Sequence, residues 1–218
     1  MNILKFLVID DHPLIRQSMK SSLESYFPEK EVFSYASLED SLECFKKKEG
    51  TRLELCKWLV LMDLGLKGIT GLAAIRILLS VEANIRLITV SGNDDELQVG
   101  ACFGCGVTGF ISKGAPVEES MRFIEKIILE EQPESFWLAA SGYADTSSIR
   151  KIHLTDRQIQ VLSMMCEGRT NKDIALALGI TEITAKSHVS GVFKELRVIN
   201  RTQAVLVAQK LGIVSTKV

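Results

Sequence analysis

The sequence predicts an α/β doubly wound sheet of five parallel strands, followed by an all-α module of four helices. Three observations lead there. Across roughly the first 130 residues, short apolar runs alternate five times with amphipathic segments, the sequence form of βα units feeding a parallel sheet. The runs lack helical spacing, as strands buried on both faces do. Beyond about His153 no strand pattern recurs, and apolar residues fall at helical spacing instead.

Taken in order, strands are predicted near residues 3–9, 31–35, 58–62, 85–90 and 107–111, with helices over 14–27, 38–48, 71–82, 94–105 and 117–131. Pro13 and Pro116 suit first turns of helices, where a missing N–H costs nothing. From Gln132 to about His153 the pattern lapses into QPESFWLAASGYADTSSIRK, small and polar as expected of a linker, with Trp137 as a local packing anchor. The predicted organisation is therefore a first domain over 1–131, a linker over 132–152 and a second domain over 153–218. In the latter, Thr155 caps a helix whose apolar stripe is Ile159, Leu162 and Met165/Cys166, and Gly168 ends it. A short helix Asn171–Leu178, a turn at Gly179-Ile180 and a longer helix from Thr181 to about Leu196 follow, with a last helix over Arg201–Leu211. Short helix, glycine turn, longer helix is the sequence form of a helix-turn-helix. Ile174, Leu178, Ile180, Val189, Leu196 and Val205 are expected in its core.

A net charge of −1 conceals an asymmetry. Residues 1–135 carry 15 Lys/Arg against 21 Asp/Glu, a balance of −6, while residues 150–218 carry 11 against 5, a balance of +6. A basic helical module behind an acidic one suggests nucleic-acid binding at the C-terminal end. The longest apolar runs are too short to span a bilayer, and MNILKFLVIDD meets two acids too early for a secretory signal; a cytoplasmic protein is expected. The five cysteines form no metal-ligand array, and Cys102-Phe-Gly-Cys105 is read as small buried thiols in a reducing compartment.

Parallel strands bring their C-terminal ends to one edge, where α/β proteins place their sites. Asp10 and Asp11 close FLVIDD and Asp63 closes WLVLMD. Three carboxylates at one edge repel one another unless a divalent cation, or modification of one of them, is expected there. An oxygen-only donor set favours Mg²⁺ or Mn²⁺. The plainer alternative makes each Asp a helix N-cap, which explains the adjacent Asp10–Asp11 pair poorly. The fourth strand ends LITVSG and the fifth GFISKG, bringing Ser91 and Lys113 to the same edge; Lys113 serves there either as a neutralising partner or as an anion-binding group.

With IDDHP, LMDLGLKGITGL, VSGND and GFISKGAP, residues 3–130 resemble a flavodoxin-like response-regulator receiver domain. The resemblance implies that Asp63 accepts a phosphoryl group from a histidine kinase, with Asp11, Asp63 and the Gly65 carbonyl as Mg²⁺ ligands and Asp10 acting through water. It implies that Lys113 binds a phosphoryl oxygen and that Ser91 closes on it. Phe110, three residues before Lys113, occupies the position of the family's rotating aromatic, and is read either as that switch or as plain core. Lys67 stands where the family usually has proline, and Gly65 offers no side chain to shield an acyl phosphate.

The stretch LTDRQIQVLSMMCEGRTNKDIALALGITEITAKSHVSGVFKELRVINRTQAV resembles the LuxR-type helix-turn-helix of the NarL/FixJ family. The resemblance makes Thr181–Leu196 the recognition helix. Thr181 and Thr184 would contact phosphate, Lys186, Ser187 and Ser190 would face the major groove, and His188 would reach the backbone. Lys172 and Arg201 would add flanking phosphate contacts. Ala185 in place of the usual valine thins the packing beneath this helix. Such modules bind promoter DNA as dimers with half-sites about one helical turn apart; the apolar stripe of the last helix serves dimerisation or only the module's core. The whole then reads as a DNA-binding regulator switched by phosphorylation, with no membrane partner. An alternative keeps DNA binding and makes the first domain a constitutive dimerisation platform, and a distant third makes it a Mg²⁺-dependent phosphatase.

Overall fold

A computed structural model of the chain describes residues 3–46, 56–67, 71–81, 84–130 and 135–211. Five βα units come first: β1 (Ile3–Ile9), α1 (Pro13–Tyr26), β2 (Val32–Tyr35), α2 (Leu38–Lys46), β3 (Cys56–Asp63), α3 (Gly71–Val81), β4 (Ile85–Ser91), α4 (Glu96–Gly104), β5 (Gly109–Ser112) and α5 (Val117–Leu129). The five strands are parallel in the order β2-β1-β3-β4-β5, which brings the ends of β1, β3, β4 and β5 side by side. Pro13 opens α1, while Pro116 stands one residue outside α5 as its N-cap.

Successive strand residues point to opposite faces, and each face has its own core. On one face Phe6, Val8, Leu59, Leu61, Ile88 and Val90 pack with Leu23 of α1 and Phe123, Ile124 and Ile127 of α5. On the other, Leu7, Val60, Met62, Leu87 and Phe110 pack with Ile75 and Leu78 of α3 and Val99 and Cys102 of α4.

The sheet does not stop at five strands. β6 (Phe136–Ala139) pairs parallel with β5, and β7 (Gly142–Ala144) turns back antiparallel on β6, giving seven strands in all. This corrects the linker expected over 132–152: its middle is a hairpin built into the sheet. Two strands of four and three residues are too short for alternation to show, and Gly142, at φ 115°, makes the turn that small residues only hinted at. Trp137 lies on β6 beside Phe110 of β5 and packs on the α3/α4 side, so its predicted packing role is also a link across the new strand pair.

After the hairpin, Ile149, Ile152 and Leu154 are buried in the same apolar core as α3 and α4. This strap lies on α4 at Gly100 and Gly104. A Cβ on Gly104 would sit 1.9 Å from the Ile152 carbonyl oxygen, and one on Gly100 2.2 Å from that of Arg150. The close approach permits the Ile152 N–H to donate to the Gly100 carbonyl at 3.0 Å.

The C-terminal module follows as α6 (Asp156–Cys166), α7 (Asn171–Leu178), α8 (Glu182–Leu196) and α9 (Arg201–Lys210). Thr155 and Thr170 close reciprocal capping boxes with Gln158 and Asp173, and Gly179 ends α7 in the left-handed conformation at φ 63°. Ile174, Val189 and Leu196 are buried as expected, and Leu178, Ile180 and Val205 pack against them half-buried. The ends of three predicted helices, at residues 47–48, 82 and 131, positions 132–134 of the expected linker and the last residues of the second domain, 212–218, lie outside the described residues.

Candidate phosphoryl pocket and recognition helix

Asp10 leaves the end of β1 and Asp63 ends β3; their side chains are 1 % and 4 % exposed. Burial of two like charges this close demands a counter-charge. Lys113, just past β5, supplies it, with Nζ 2.8 Å from Asp63 Oδ2 and 3.1 Å from Asp10 Oδ2. Burial of the ammonium opposes its charge, but the hydrogen bonds and attraction of Asp63, then of Asp10, outweigh it and raise the Lys113 pKa above the ordinary lysine value. Asp10 Oδ1 accepts the His12 N–H at 2.8 Å, and Asp63 Oδ1 the Gly65 N–H at 3.0 Å. Both carboxylates are thereby fixed at two points.

Asp11 faces the same hollow, with Lys67 Nζ 3.7 Å from its Oδ2. The lysine standing where proline was expected thus reaches the pocket rim. Ser91 ends β4, nearly buried, its Oγ accepting the Asn93 N–H at 3.1 Å. Its carbonyl accepts the Lys113 N–H at 2.8 Å, so the two residues are joined through backbone. Gly65 sits over Asp63: a Cβ there would lie 3.6 Å from both carboxylate oxygens.

One residue the sequence reading passed over enters here. His12 Nδ1 lies 3.0 Å from Asp11 Oδ1 and 3.8 Å from Asp63 Oδ2, and the donor atoms of Asp10, Asp11, His12 and Asp63 fall within 4.8 Å of one another. IDDHP did show the residue; only the fold shows its ring turned back to the acids. An acid-lined hollow of this size, with carboxylate oxygens predominating, suits a hard divalent cation.

Phe110 is wholly buried. The inward turn expected of it would begin here from a ring already inside, flanked across the sheet by Thr89 and Trp137.

The hairpin touches both loops that leave this pocket. The Ala140 N–H donates to Asp94 Oδ2 at 3.4 Å in the loop after Ser91, and a Cβ on Gly114, next to Lys113, would meet Ala140 Cβ at 3.1 Å. Arg76 of α3 then pairs with Asp156 at the start of α6 and donates to the Leu154 carbonyl. Arg150 lies 3.4 Å from Glu195 of α8, which also accepts the His153 N–H at 2.9 Å. No periodicity in the sequence could have announced contacts between such distant residues. Burial pushes the Cys102 and Cys105 thiols up, the latter despite a hydrogen bond from Arg76, which agrees with packing thiols and not a redox pair.

On α8, Ala185, Val189, Val192 and Leu196 form the buried stripe. The opposite side is open: Lys186, Ser187, Ser190 and Lys194 are exposed, and His188 is half-buried at the flank. Among the described residues, the first domain leaves this face uncovered. Thr181 caps the helix, accepting the Thr184 N–H at 3.1 Å, and its hydroxyl lies 2.8 Å from that of Thr184. Lys186 is paired with Glu182 at 2.9 Å. Lys172 is exposed on α7. Arg201 is half-buried, and its Nη2 donates to the Met165 and Arg169 carbonyls at 2.9 and 2.6 Å, tying the start of α9 to the end of α6.

A doubly wound domain with an acid pocket at its strand ends, joined to a basic helix-turn-helix, defines a class: receiver domains coupled to a DNA-binding output. The chain belongs to the response regulators with a luxR-type module, since residues 6–125 match the response regulator receiver domain and residues 153–208 match the bacterial regulatory proteins of the luxR family. This is a family of transcription regulators, not of enzymes. Among its relatives, the glycerol metabolism activator of Pseudomonas putida is 32 % identical over 214 residues, 94 % of each chain. The transcriptional regulatory protein LiaR of Bacillus subtilis (strain 168) is 28 % identical over 220 residues, covering 98 % of this chain and 100 % of that one. The fold is similar to RcsB of Salmonella enterica serovar Typhimurium bound to promoter rprA with the phosphomimetic BeF3⁻ (TM-score 0.53, 18 % identity, 96 % and 99 % of the two chains). It is also similar to a structure of two RcsB dimers bound to two parallel DNAs (TM-score 0.57, 16 % identity, 96 % and 98 %). Among the described residues no helix is long and apolar enough to cross a membrane.

Proposed function

We propose that Asp63 accepts a phosphoryl group from the phosphohistidine of a histidine kinase, and that this modification controls binding of the C-terminal module to promoter DNA. The observation that carries the reading is the single ammonium of Lys113 set between Asp63 and Asp10, with the Ser91 hydroxyl at the adjoining strand end. In the transfer the donor's P–N bond breaks, its electron pair stays with the imidazole, and a P–O bond forms to an Asp63 oxygen. Mg²⁺ (or Mn²⁺) would be held by Asp11, Asp63 and the Gly65 carbonyl, with Asp10 acting through water, and would neutralise the transferring oxygens. Lys113 would move from the Asp63 carboxylate to a phosphoryl oxygen, and Ser91 would donate to another. The added charge of about −1.5 to −2 draws on both loops.

Those loops contact the β6–β7 hairpin, and the hairpin runs on into the strap on α4. This path supports a release of the strap as the step that frees the C-terminal module to pair with a second copy on DNA, in the cytoplasm. Domain limits of 1–131 and 153–218 then separate sensing from output, with residues 132–152 acting as the coupling element.

Incubation of the full chain with acetyl phosphate and Mg²⁺ should add one phosphoryl mass, and the Asp63→Ala chain should gain none. Equal labelling of both chains would sink the assignment of Asp63. Equal promoter affinity of both chains after the same treatment would instead favour a receiver that serves only as a constitutive dimerisation platform.

A further inference from the structure

The exposed face of α8 carries one apolar residue that neither the core nor the receiver uses. Ile183 is 81 % exposed, at the second position of the helix. At 100° per residue, Ile183, Ser187, Ser190 and Lys194 line up opposite the buried stripe of Ala185, Val189, Val192 and Leu196. Ile183 is therefore on the midline of the face that the DNA-binding reading turns toward the duplex, and in the N-terminal turn, which penetrates a major groove deepest.

The chemistry around it is sparse. Between Glu182 and Leu196 the helix has no Arg, Asn or Gln, the side chains that make bidentate contacts to guanine or adenine edges. Lys186 can reach a guanine, but the two serines accept or donate to any base and discriminate little. The major groove offers one apolar landmark, the C5-methyl of thymine. An isoleucine held in water beside two serines finds its complement among the base edges there.

We infer that Ile183 is a specificity-determining residue of this regulator, reading a thymine methyl group in each half-site; the inference rests on the DNA-binding reading above. Exposed apolar residues elsewhere in the module, such as Leu176 and Ile199, do not share this position, and single apolar surface residues as such need no explanation. What distinguishes Ile183 is its place on the recognition helix among readers too few to specify a site.

The test uses the full chain, treated with acetyl phosphate, to select from a random-sequence duplex pool. The recovered duplex is remade with each thymine replaced singly by uracil, which removes the methyl and leaves every hydrogen-bonding group in place. For the natural chain, a single uracil at the contacted position of one half-site should weaken binding about fourfold, the worth of one buried methyl. Ile183→Ala, which alters both copies of the dimer, should lose about sixteenfold on the thymine duplex, the square of that factor, and be indifferent to that same uracil, with an unchanged salt slope because no charge is removed. Ile183→Val should retain part of the thymine preference. Because the side chain is exposed and alanine favours helix, the melting temperature should hold. Uracil costs that are equal in the natural and Ile183→Ala chains at every position would overturn the inference, while DNA binding itself stands. Failure of the natural chain to retain any duplex, treated or not, would overturn both.

Discussion

At the strand ends, Asp10 and Asp63 are nearly inaccessible and share the ammonium of Lys113; on α8, Lys186 and Lys194 stand in water, one of them loosely held by Glu182. On the function proposed above both regions meet phosphate groups, yet they keep their charges in opposite ways. A pocket that must hold one phosphoryl group benefits from groups already oriented and desolvated, since their interactions are strong in low dielectric. A face that meets a polyanion gains from displacing counterions, which asks only that its cations be accessible. Between the two lies a third kind of contact, the strap on α4, where backbone packs on backbone at Gly100 and Gly104 and the charged pairs lie at its flanks.

If the strap is what joins the two regions, forcing it off should separate them more than any change within either. Gly104→Val places a Cβ where the Ile152 carbonyl now sits, 1.9 Å away, and backbone cannot step aside as a side chain can. Overpacking of this kind costs about 3 kcal/mol, roughly a hundredfold against the docked arrangement. Limited proteolysis around residues 145–155 should quicken accordingly, with a larger radius of gyration in solution scattering. Unchanged cleavage would mean that the modules are joined by something other than this contact.

Removal of Lys113 is the next largest effect and belongs to the buried side of the comparison. Lys113→Ala leaves Asp10 and Asp63 facing each other without a counter-charge, at a cost of about 2 kcal/mol after allowing for the partial exposure of the lysine. Divalent cation should restore more stability to this variant than to the natural chain, measured as the rise in Tm on adding Mg²⁺. The pH dependence has a definite sign. The folded-state pKa of Lys113 is raised above 10.5, so its contribution is whole below that value and is lost as pH climbs through the folded pKa. The natural chain should therefore lose stability in the alkaline range by a component that Lys113→Ala lacks.

The same contrast explains what could be read in advance. Asp10, Asp63, Ser91 and Lys113 stand at the ends of apolar runs, and a parallel sheet leaves such ends only one place to meet. Thr155 and Thr181 announce helix starts through their own hydroxyls, and Gly179 marks the turn between α7 and α8, so the C-terminal helices were legible almost to the residue. What escaped depends on tertiary proximity without a local pattern. The Arg76–Asp156 pair spans 80 positions; Gly100 and Gly104 look like ordinary weak points in a helix until the strap is laid over them; and the hairpin over Phe136–Ala144 is too short for a period. The resemblance makes Arg201 a flanking phosphate contact, and only the fold shows its Nη2 also donating to the Met165 and Arg169 carbonyls.

On the accessible side effects should be smaller. Lys186→Ala should weaken promoter binding about fivefold with little change in the slope of log affinity against log salt, as the loss of a base-edge contact in the major groove does. If the slope instead falls by just under one for each bound copy, Lys186 meets a phosphate in place of a base edge. Glu182→Gln should improve binding slightly, because it frees the same lysine from its partner at 2.9 Å; surface pairs on a helix hold only a few tenths of a kcal/mol.

The smallest expected change returns to the pocket, at an exposed position on its rim. Gly65 is exposed, and a Cβ added there would lie 3.6 Å from both oxygens of Asp63, an ordinary contact and no clash. Gly65→Ala should leave the unfolding free energy within about 0.5 kcal/mol of the natural chain, as exposed substitutions do. Its methyl would nonetheless stand beside the acyl phosphate, on the side from which water reaches the phosphorus. The phosphorylated form should therefore decay a few-fold more slowly, as followed by loss of the phosphoryl mass after the donor is removed. An unaltered decay rate would show that the open approach to Asp63 lies elsewhere, past Lys67, and would move the control of signal lifetime to that exposed lysine.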